Sequence, residues 1–170
     1  MAQGRLEIGE GFAGDGVDAA HVNTVLGPRS GPAGVAFATA LASPSAGHVP
    51  FLAVLRPGLP VRPFTLFVNK AAVAGERHAA LTWGAAQAGV AGGVIDAVVE
   101  GLIGRAEADE LALLAAVWVD PQAADAEVVY ANNRAATRAA LAMGRRGGAP
   151  FDALVEAAAR PHNPYFPPRR

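Results

Sequence analysis

A few polar residues interrupt apolar stretches of the chain, and their types suit chemistry on a polar ligand. His21 lies among alternating apolar residues, and Asn23 shares its face because alternate residues of a strand point the same way. Lys70 ends a second apolar stretch, and Gln87 stands on the same helical stripe as Val94. Histidine transfers protons near neutral pH, while lysine and glutamine donate hydrogen bonds. These residues are therefore candidates for proton transfer and polar binding.

The same residues also have an ordinary structural interpretation, which the spacing by itself favours. A buried Gln87 can bond a backbone group, Lys70 can extend its amine to water, and His21 can be a common strand residue. The segment GPRSGP (27–32) can cradle an anion before a helix, although such a segment is far more often only a turn. These patterns alone leave both interpretations open.

Several common chemistries lack their motifs in this sequence. The chain has no cysteine, which excludes disulfides, thiolate metal sites, iron–sulfur clusters and a cysteine nucleophile. Its four histidines are scattered without the spacing of metal ligands, so we expect no metal site. The sequence also contains no P-loop, GxGxxG, GxSxG or HExxH motif. Common nucleotide and protease chemistry is therefore not predicted.

The composition predicts one globular domain. The 170 residues are 52% apolar and 17% charged, which suits one buried core rather than two. A net charge of −1 requires no basic surface, so we expect neither nucleic acid nor a membrane as a partner. The longest apolar run, 111–119, is about half of what a bilayer-spanning helix needs. Since the N-terminus shows no secretory signal, we predict a cytoplasmic protein.

Periodicity and turn residues predict the elements that position the candidate residues. A hairpin is expected over 5–13 and 19–27, because apolar residues alternate on both sides of the turn-forming GDG. The other predicted elements are a helix over 33–42, strands over 50–55 and 65–68, a helix over 75–104, a buried strand over 111–119, and helices over 123–143 and 151–159. Periodicity alone also allows a buried helix over 111–119.

This order of elements predicts an α/β fold. The economical packing is a single-domain two-layer sandwich with a mixed sheet and helices on one face. We place the domain at 1–159 and a proline-rich tail at 160–170, because four prolines prevent regular structure there. A functional site is expected where strands meet helix.

Short motifs follow one another along most of the chain. In order they are GEGFAGDGVDAAHV, GPR, FLAV, LPVRP, FVNK, GAAQAGV and DAVVEG. From about Gly9 to about Met143 they resemble the formaldehyde-activating enzyme family. The resemblance implies a ribosomal-protein-like βαβ topology and a ring-shaped homopentamer. It also implies a hydro-lyase that condenses formaldehyde with a reduced pterin, tetrahydromethanopterin, giving methylene-tetrahydromethanopterin and water. That reaction serves formaldehyde detoxification and one-carbon metabolism, with the pterin as co-substrate and no bound cofactor.

The resemblance also implies roles for six residues: catalytic His21 and the pterin-binding Asn23, Leu52, Lys70, Ala72 and Gln87. His21 would protonate the oxygen of a hydroxymethyl group so that water leaves. Lys70 and Gln87 would orient the pterin by hydrogen bonds, and Leu52 would cover its ring.

Three positions depart from the family pattern. Asn23 replaces an acidic residue, Ala72 replaces a threonine and Ala88 replaces a histidine. Losing a charge-assisted bond and a hydroxyl would weaken pterin binding by a few kcal/mol. Two hypotheses therefore remain: the condensing enzyme, and a non-catalytic or retuned paralogue that binds a pterin or carbonyl metabolite as a sensor or carrier.

Overall fold

Strands and helices alternate along the chain in nearly the predicted order. The computed structural model describes residues 5–163 and residue 166. Its strands are β1 (Glu7–Ala13), β2 (Ala20–Pro28), β3 (Phe51–Leu52), β4 (Val54–Arg56), β5 (Leu59–Pro60), β6 (Phe64–Asn69) and β7 (Leu111–Trp118). Its helices are α1 (Pro32–Ala42), α2 (Gly75–Ala80), α3 (Gln87–Val99), α4 (Ala126–Arg146) and α5 (Phe151–Ala157). A 3₁₀ turn covers Gly16–Asp18, and a π-helical turn over Leu81–Ala86 joins α2 to α3.

Five strands form a mixed sheet in the order β1-β2-β7-β6-β3, whereas β4 and β5 form a separate ribbon. β1 and β2 pair antiparallel as the predicted hairpin, with Glu10 opposite Asn23 and Phe12 opposite His21. β7 lies between β2, its antiparallel neighbour, and β6, its parallel neighbour. The apolar run over 111–119 is thus a central strand, and the alternative of a buried helix is excluded.

α3 and α4 cover one face of the sheet and enclose the core. Alternate residues of β2 and β7, such as Val22 and Val117, point into this layer and are fully buried together with Val94 of α3. The predicted two-layer α/β sandwich is confirmed. The short α1 packs against the opposite face, since a Cβ built on Gly27 would lie 3.2 Å from the Cβ of Ala33.

Two glycines of β1 let α4 approach the sheet closely. A Cβ added at Gly9 or Gly11 would overlap the carbonyl oxygens of Ala140 and Ala136 in the helix backbone. We therefore expect Gly11→Val to lower the free energy of unfolding by about 3 kcal/mol, the upper end for overpacked sites. Urea denaturation measures this loss. Gly84→Ala is the control, because an added Cβ there has no neighbour within 4 Å; an equal loss in both variants would contradict the explanation.

The predicted helix over 75–104 is interrupted by the π-helical turn and ends earlier, at Val99. Gly101 adopts a φ of 76°, and the N–H of Ile103 donates to the carbonyl of Ala97 at 3.0 Å. This turn returns Ile103 to the core, where it is fully buried. The apolar pattern thus continues beyond the helix, which is why periodicity did not locate its end.

The C-terminal helix α5 contributes no buried residue. The predicted tail, 160–170, falls partly outside the described residues, and the domain boundary at 159 stays a prediction. None of the helices within 5–163 is long and apolar enough to cross a membrane.

Candidate active site

Residues on the sheet face opposite α4 form the candidate site. His21 on β2 pairs in register with Trp118 on β7, and Lys70 directly follows Asn69, which pairs with Val117. Strand alternation therefore sets His21, Trp118 and Lys70 side by side on this face. All three side chains are half-buried, so a ligand can reach them.

The Lys70 ammonium links the two candidate residues of β2. Its Nζ donates to Oδ1 of Asn23 at 2.8 Å and lies 3.1 Å from Nδ1 of His21. An ammonium group has donors and no acceptor, so Nδ1 of His21 is the acceptor in this contact. The proton of the neutral imidazole is therefore on Nε2.

Two residues of β1 hold the other side of the imidazole. Oε1 of Glu10 lies 3.3 Å from Nε2 of His21, close enough for an ion pair when the ring is protonated. The Phe12 ring stacks on the imidazole with a centroid distance of 3.9 Å and an interplanar angle of 4°. Stacking and the Lys70 contact together fix the orientation of the ring.

Burial and charge act in opposite directions on these groups. The pKa of His21 is lowered, first by burial and then by the charge of Lys70, while the Glu10 carboxylate raises it. Burial likewise lowers the pKa of Lys70, and Glu10 opposes this shift. Both cations are thus easier to deprotonate than in water.

These opposing effects allow the pKa of His21 to be shifted in either direction by substitution. Its protonated form should be lost at lower pH than that of an ordinary histidine, because its pKa is lowered. Glu10→Gln removes the charge that raises this pKa and should lower it further, whereas Lys70→Met should raise it. Titration of the imidazole C–H signals by NMR measures all three values. A rise in the pKa of His21 on Glu10→Gln would refute this charge assignment.

Two cavities flank His21. One, of about 570 Å³, is lined by His21, Asn23, Lys70 and Trp118. The other, of about 530 Å³, is lined by His21, Phe12, residues of the GDG loop and Asp120. A ligand in either cavity would contact the imidazole. Within the described ranges, no group of three or more His, Asp or Glu side chains could hold a metal ion.

The other predicted site residues make different contacts in the chain. Oε1 of the buried Gln87 accepts a hydrogen bond from the backbone N–H of Val54 at 2.5 Å. Leu52 lies on β3, on the same sheet face as His21 but at the opposite edge. Ala72 is exposed in the loop after β6. The chain therefore brings together His21, Asn23 and Lys70, and leaves Leu52, Ala72 and Gln87 outside their cluster.

Sequence reasoning missed three residues of the cluster: Glu10, Phe12 and Trp118. The hairpin contained a usable signal for two of them. With the GDG turn placed, strand register sets Glu10 opposite Asn23 and Phe12 opposite His21. Trp118 offered no comparable signal, because its position depends on β7 pairing with β2.

Comparison with known proteins identifies the family of this chain. A sequence model described as "Formaldehyde-activating enzyme (Fae)" matches residues 8–166. Two relatives named "Bifunctional enzyme Fae/Hps" come from Methanococcoides burtonii, with 43% identity over 87% of this chain, and Archaeoglobus fulgidus, with 41% over 94%. The chain spans 37% and 41% of their lengths.

A shorter relative covers most of its own length. It is named "5,6,7,8-tetrahydromethanopterin hydro-lyase", comes from Methanosarcina barkeri, and is 40% identical over 82% of this chain and 79% of its own length. Its extent excludes a match confined to one short motif. The chain therefore belongs to the formaldehyde-activating enzyme family.

Proposed function

We propose that the protein condenses formaldehyde with tetrahydromethanopterin to give methylene-tetrahydromethanopterin and water. The Methanosarcina barkeri relative is named as a hydro-lyase of this pterin. The observation that carries the proposal is the cluster of His21, Lys70 and Asn23 beside an open cavity. A positioned imidazole is the group that acid-assisted loss of water from a formaldehyde adduct needs.

In this proposal His21 is the acid for the dehydration step. A pterin amine attacks formaldehyde, which forms a carbon–nitrogen bond and leaves a hydroxymethyl group. The protonated imidazole of His21 then donates a proton to the hydroxyl oxygen, the carbon–oxygen bond breaks, and water leaves while the imidazole becomes neutral. Lys70 contacts Nδ1 of the same ring and so holds the imidazole in a fixed orientation for this step. A second pterin nitrogen closes the methylene bridge.

We propose that the other pterin-binding residues act from a neighbouring subunit. Leu52, Ala72 and Gln87 lie apart from the His21 cluster in one subunit, so a pterin that contacts both sets must bind at a subunit boundary. The open sheet face carries exposed apolar residues, including Ile8 at 64% and Phe12 at 37% exposure. Covering such residues favours association. A homopentameric ring, as the resemblance implies, would cover these apolar residues and bring the two sets of pterin-binding residues together.

Assembly should therefore be measurable in solution. We expect light scattering at micromolar concentration to give the mass of a pentamer, and a monomer would contradict the proposal. Ile8→Glu places a charge on the open face and should weaken assembly. The matched control is Val99→Glu, which is similarly exposed but lies at the end of α3 on the other side of the sheet.

A second candidate function is a pterin-binding or carbonyl-binding paralogue that acts as a sensor or carrier. Asn23 and Ala72 favour it, because both lack the polar groups of the family pattern. The assay mixes purified protein with formaldehyde and tetrahydromethanopterin and compares the rate with the uncatalysed condensation. Acceleration supports the enzyme, whereas tight pterin binding without acceleration supports the paralogue. The predicted cytoplasmic location is kept as part of the proposal, and cell fractionation tests it.

A further inference from the structure

Lys70 is the only lysine among the 14 lysine and arginine residues of the chain. Its ε-amine is therefore the only side-chain primary amine that can react with an aldehyde. Arginine keeps its proton at neutral pH and does not act as a nucleophile there. The single reactive side-chain amine of this chain thus lies inside the candidate site, beside His21.

The position of this amine suits attack on a small carbonyl compound. Lys70 lines the cavity of about 570 Å³ together with His21, Asn23 and Trp118. Its Nζ lies 3.1 Å from the imidazole of His21, which can protonate a departing hydroxyl. A nucleophile within reach of an acid–base group is the arrangement that covalent catalysis uses.

We propose that Lys70 captures formaldehyde as a Schiff base and passes its carbon to the pterin. This inference rests on the proposed function and adds a covalent step to it. The role goes beyond holding the pterin by a hydrogen bond.

The steps balance without an oxidant or reductant. The free amine of Lys70 attacks formaldehyde, a carbon–nitrogen bond forms, and the amine proton passes to the oxygen. His21 protonates the resulting hydroxyl, the carbon–oxygen bond breaks, and water leaves a methylene iminium on Lys70. A pterin nitrogen attacks this carbon and loses its proton to His21. His21 gives this proton to the Lys70 amine, which leaves as the second pterin nitrogen bonds to the same carbon, and that nitrogen then loses its own proton to His21.

The surroundings of Lys70 favour the free amine that this chemistry needs. Burial lowers the pKa of Lys70. Asn23 accepts its hydrogen bond with a neutral amide, whereas a carboxylate there would stabilise the ammonium. Two ionisable groups face it: His21 from β2, and Glu10 from β1, whose charge raises its pKa. The replacement of an acidic residue by Asn23 thus has a physical consequence that suits an amine nucleophile.

Reductive trapping tests this inference directly. The full chain is incubated with formaldehyde and sodium cyanoborohydride, without pterin, and peptide mass spectrometry locates each added methylene group. The control variant Arg105→Lys supplies a second lysine in an exposed turn. We expect Lys70 to be modified faster than the new amine, because its lowered pKa leaves more free amine at neutral pH. Equal or slower modification of Lys70 would overturn the proposal.

Kinetics of a second variant separate this inference from the proposed function. Lys70→Arg keeps the positive charge and donors but removes the nucleophile, so it should lower kcat by roughly 10²-fold or more, as loss of a positioned catalytic group does. Full condensation activity in Lys70→Arg would contradict the Schiff-base step, but it would not contradict the proposed function. The wild-type protein could instead be trapped rapidly at Lys70 and yet fail to accelerate condensation. That result would contradict the proposed function and support formaldehyde capture by Lys70.

Discussion

His21→Ala should lower the turnover of formaldehyde condensation by roughly 10² to 10⁴, the range for loss of a general acid. Pterin affinity should stay nearly unchanged, because the imidazole acts on the departing oxygen rather than on the pterin. The fold should tolerate the change, since the side chain of His21 is 26% exposed on an open sheet face. Single-turnover kinetics and a separate pterin titration measure the two effects.

His162→Ala is the control for this experiment, because it removes an exposed histidine far along the chain from the cluster. It should leave both turnover and affinity unchanged. Equal losses of turnover and pterin affinity in His21→Ala would indicate that His21 positions the pterin. Unchanged turnover would remove His21 from the mechanism.

Asn23→Asp combined with Ala72→Thr should raise the affinity for tetrahydromethanopterin by about 30-fold or more. Each change restores one polar group of the family pattern, and a charge-assisted bond plus a hydroxyl are worth about 1–3 kcal/mol each when a partner would otherwise stay unpaired. The two single variants show how much of this gain each position contributes. Titration of the pterin against wild type and the three variants measures this.

The condensation rate of the same variants shows which step limits turnover. A carboxylate at position 23 would lie close to Nζ of Lys70 and raise the pKa of both Lys70 and His21. The rate should then rise at neutral pH if proton donation by His21 limits turnover, and fall if amine capture by Lys70 limits it. Tight wild-type binding that the double variant does not improve would contradict the claim that these two positions limit the site.

The sequence by itself determined the local geometry of half the site. Strand alternation on either side of the GDG turn puts His21 and Asn23 on one face, and the hairpin register sets Glu10 and Phe12 opposite them. The continuous apolar run that became β7 was predictable as a buried strand, although its periodicity also allowed a helix. These features depend on neighbours in the chain, so local patterns carry them. The family motifs supplied the expected roles of His21 and Asn23, which periodicity does not contain.

Only the tertiary structure decided which of the candidate residues meet. Lys70 reaches His21 because β7 inserts between β2 and β6, and pairing between strands far apart in sequence leaves no local pattern. Gln87 was ambiguous for the same reason: its partner, the N–H of Val54, is provided by a strand 33 residues earlier. Whether a polar side chain binds a ligand or a backbone group depends on what the fold sets opposite it, and here the fold sets an amine beside His21 and a backbone donor beside Gln87.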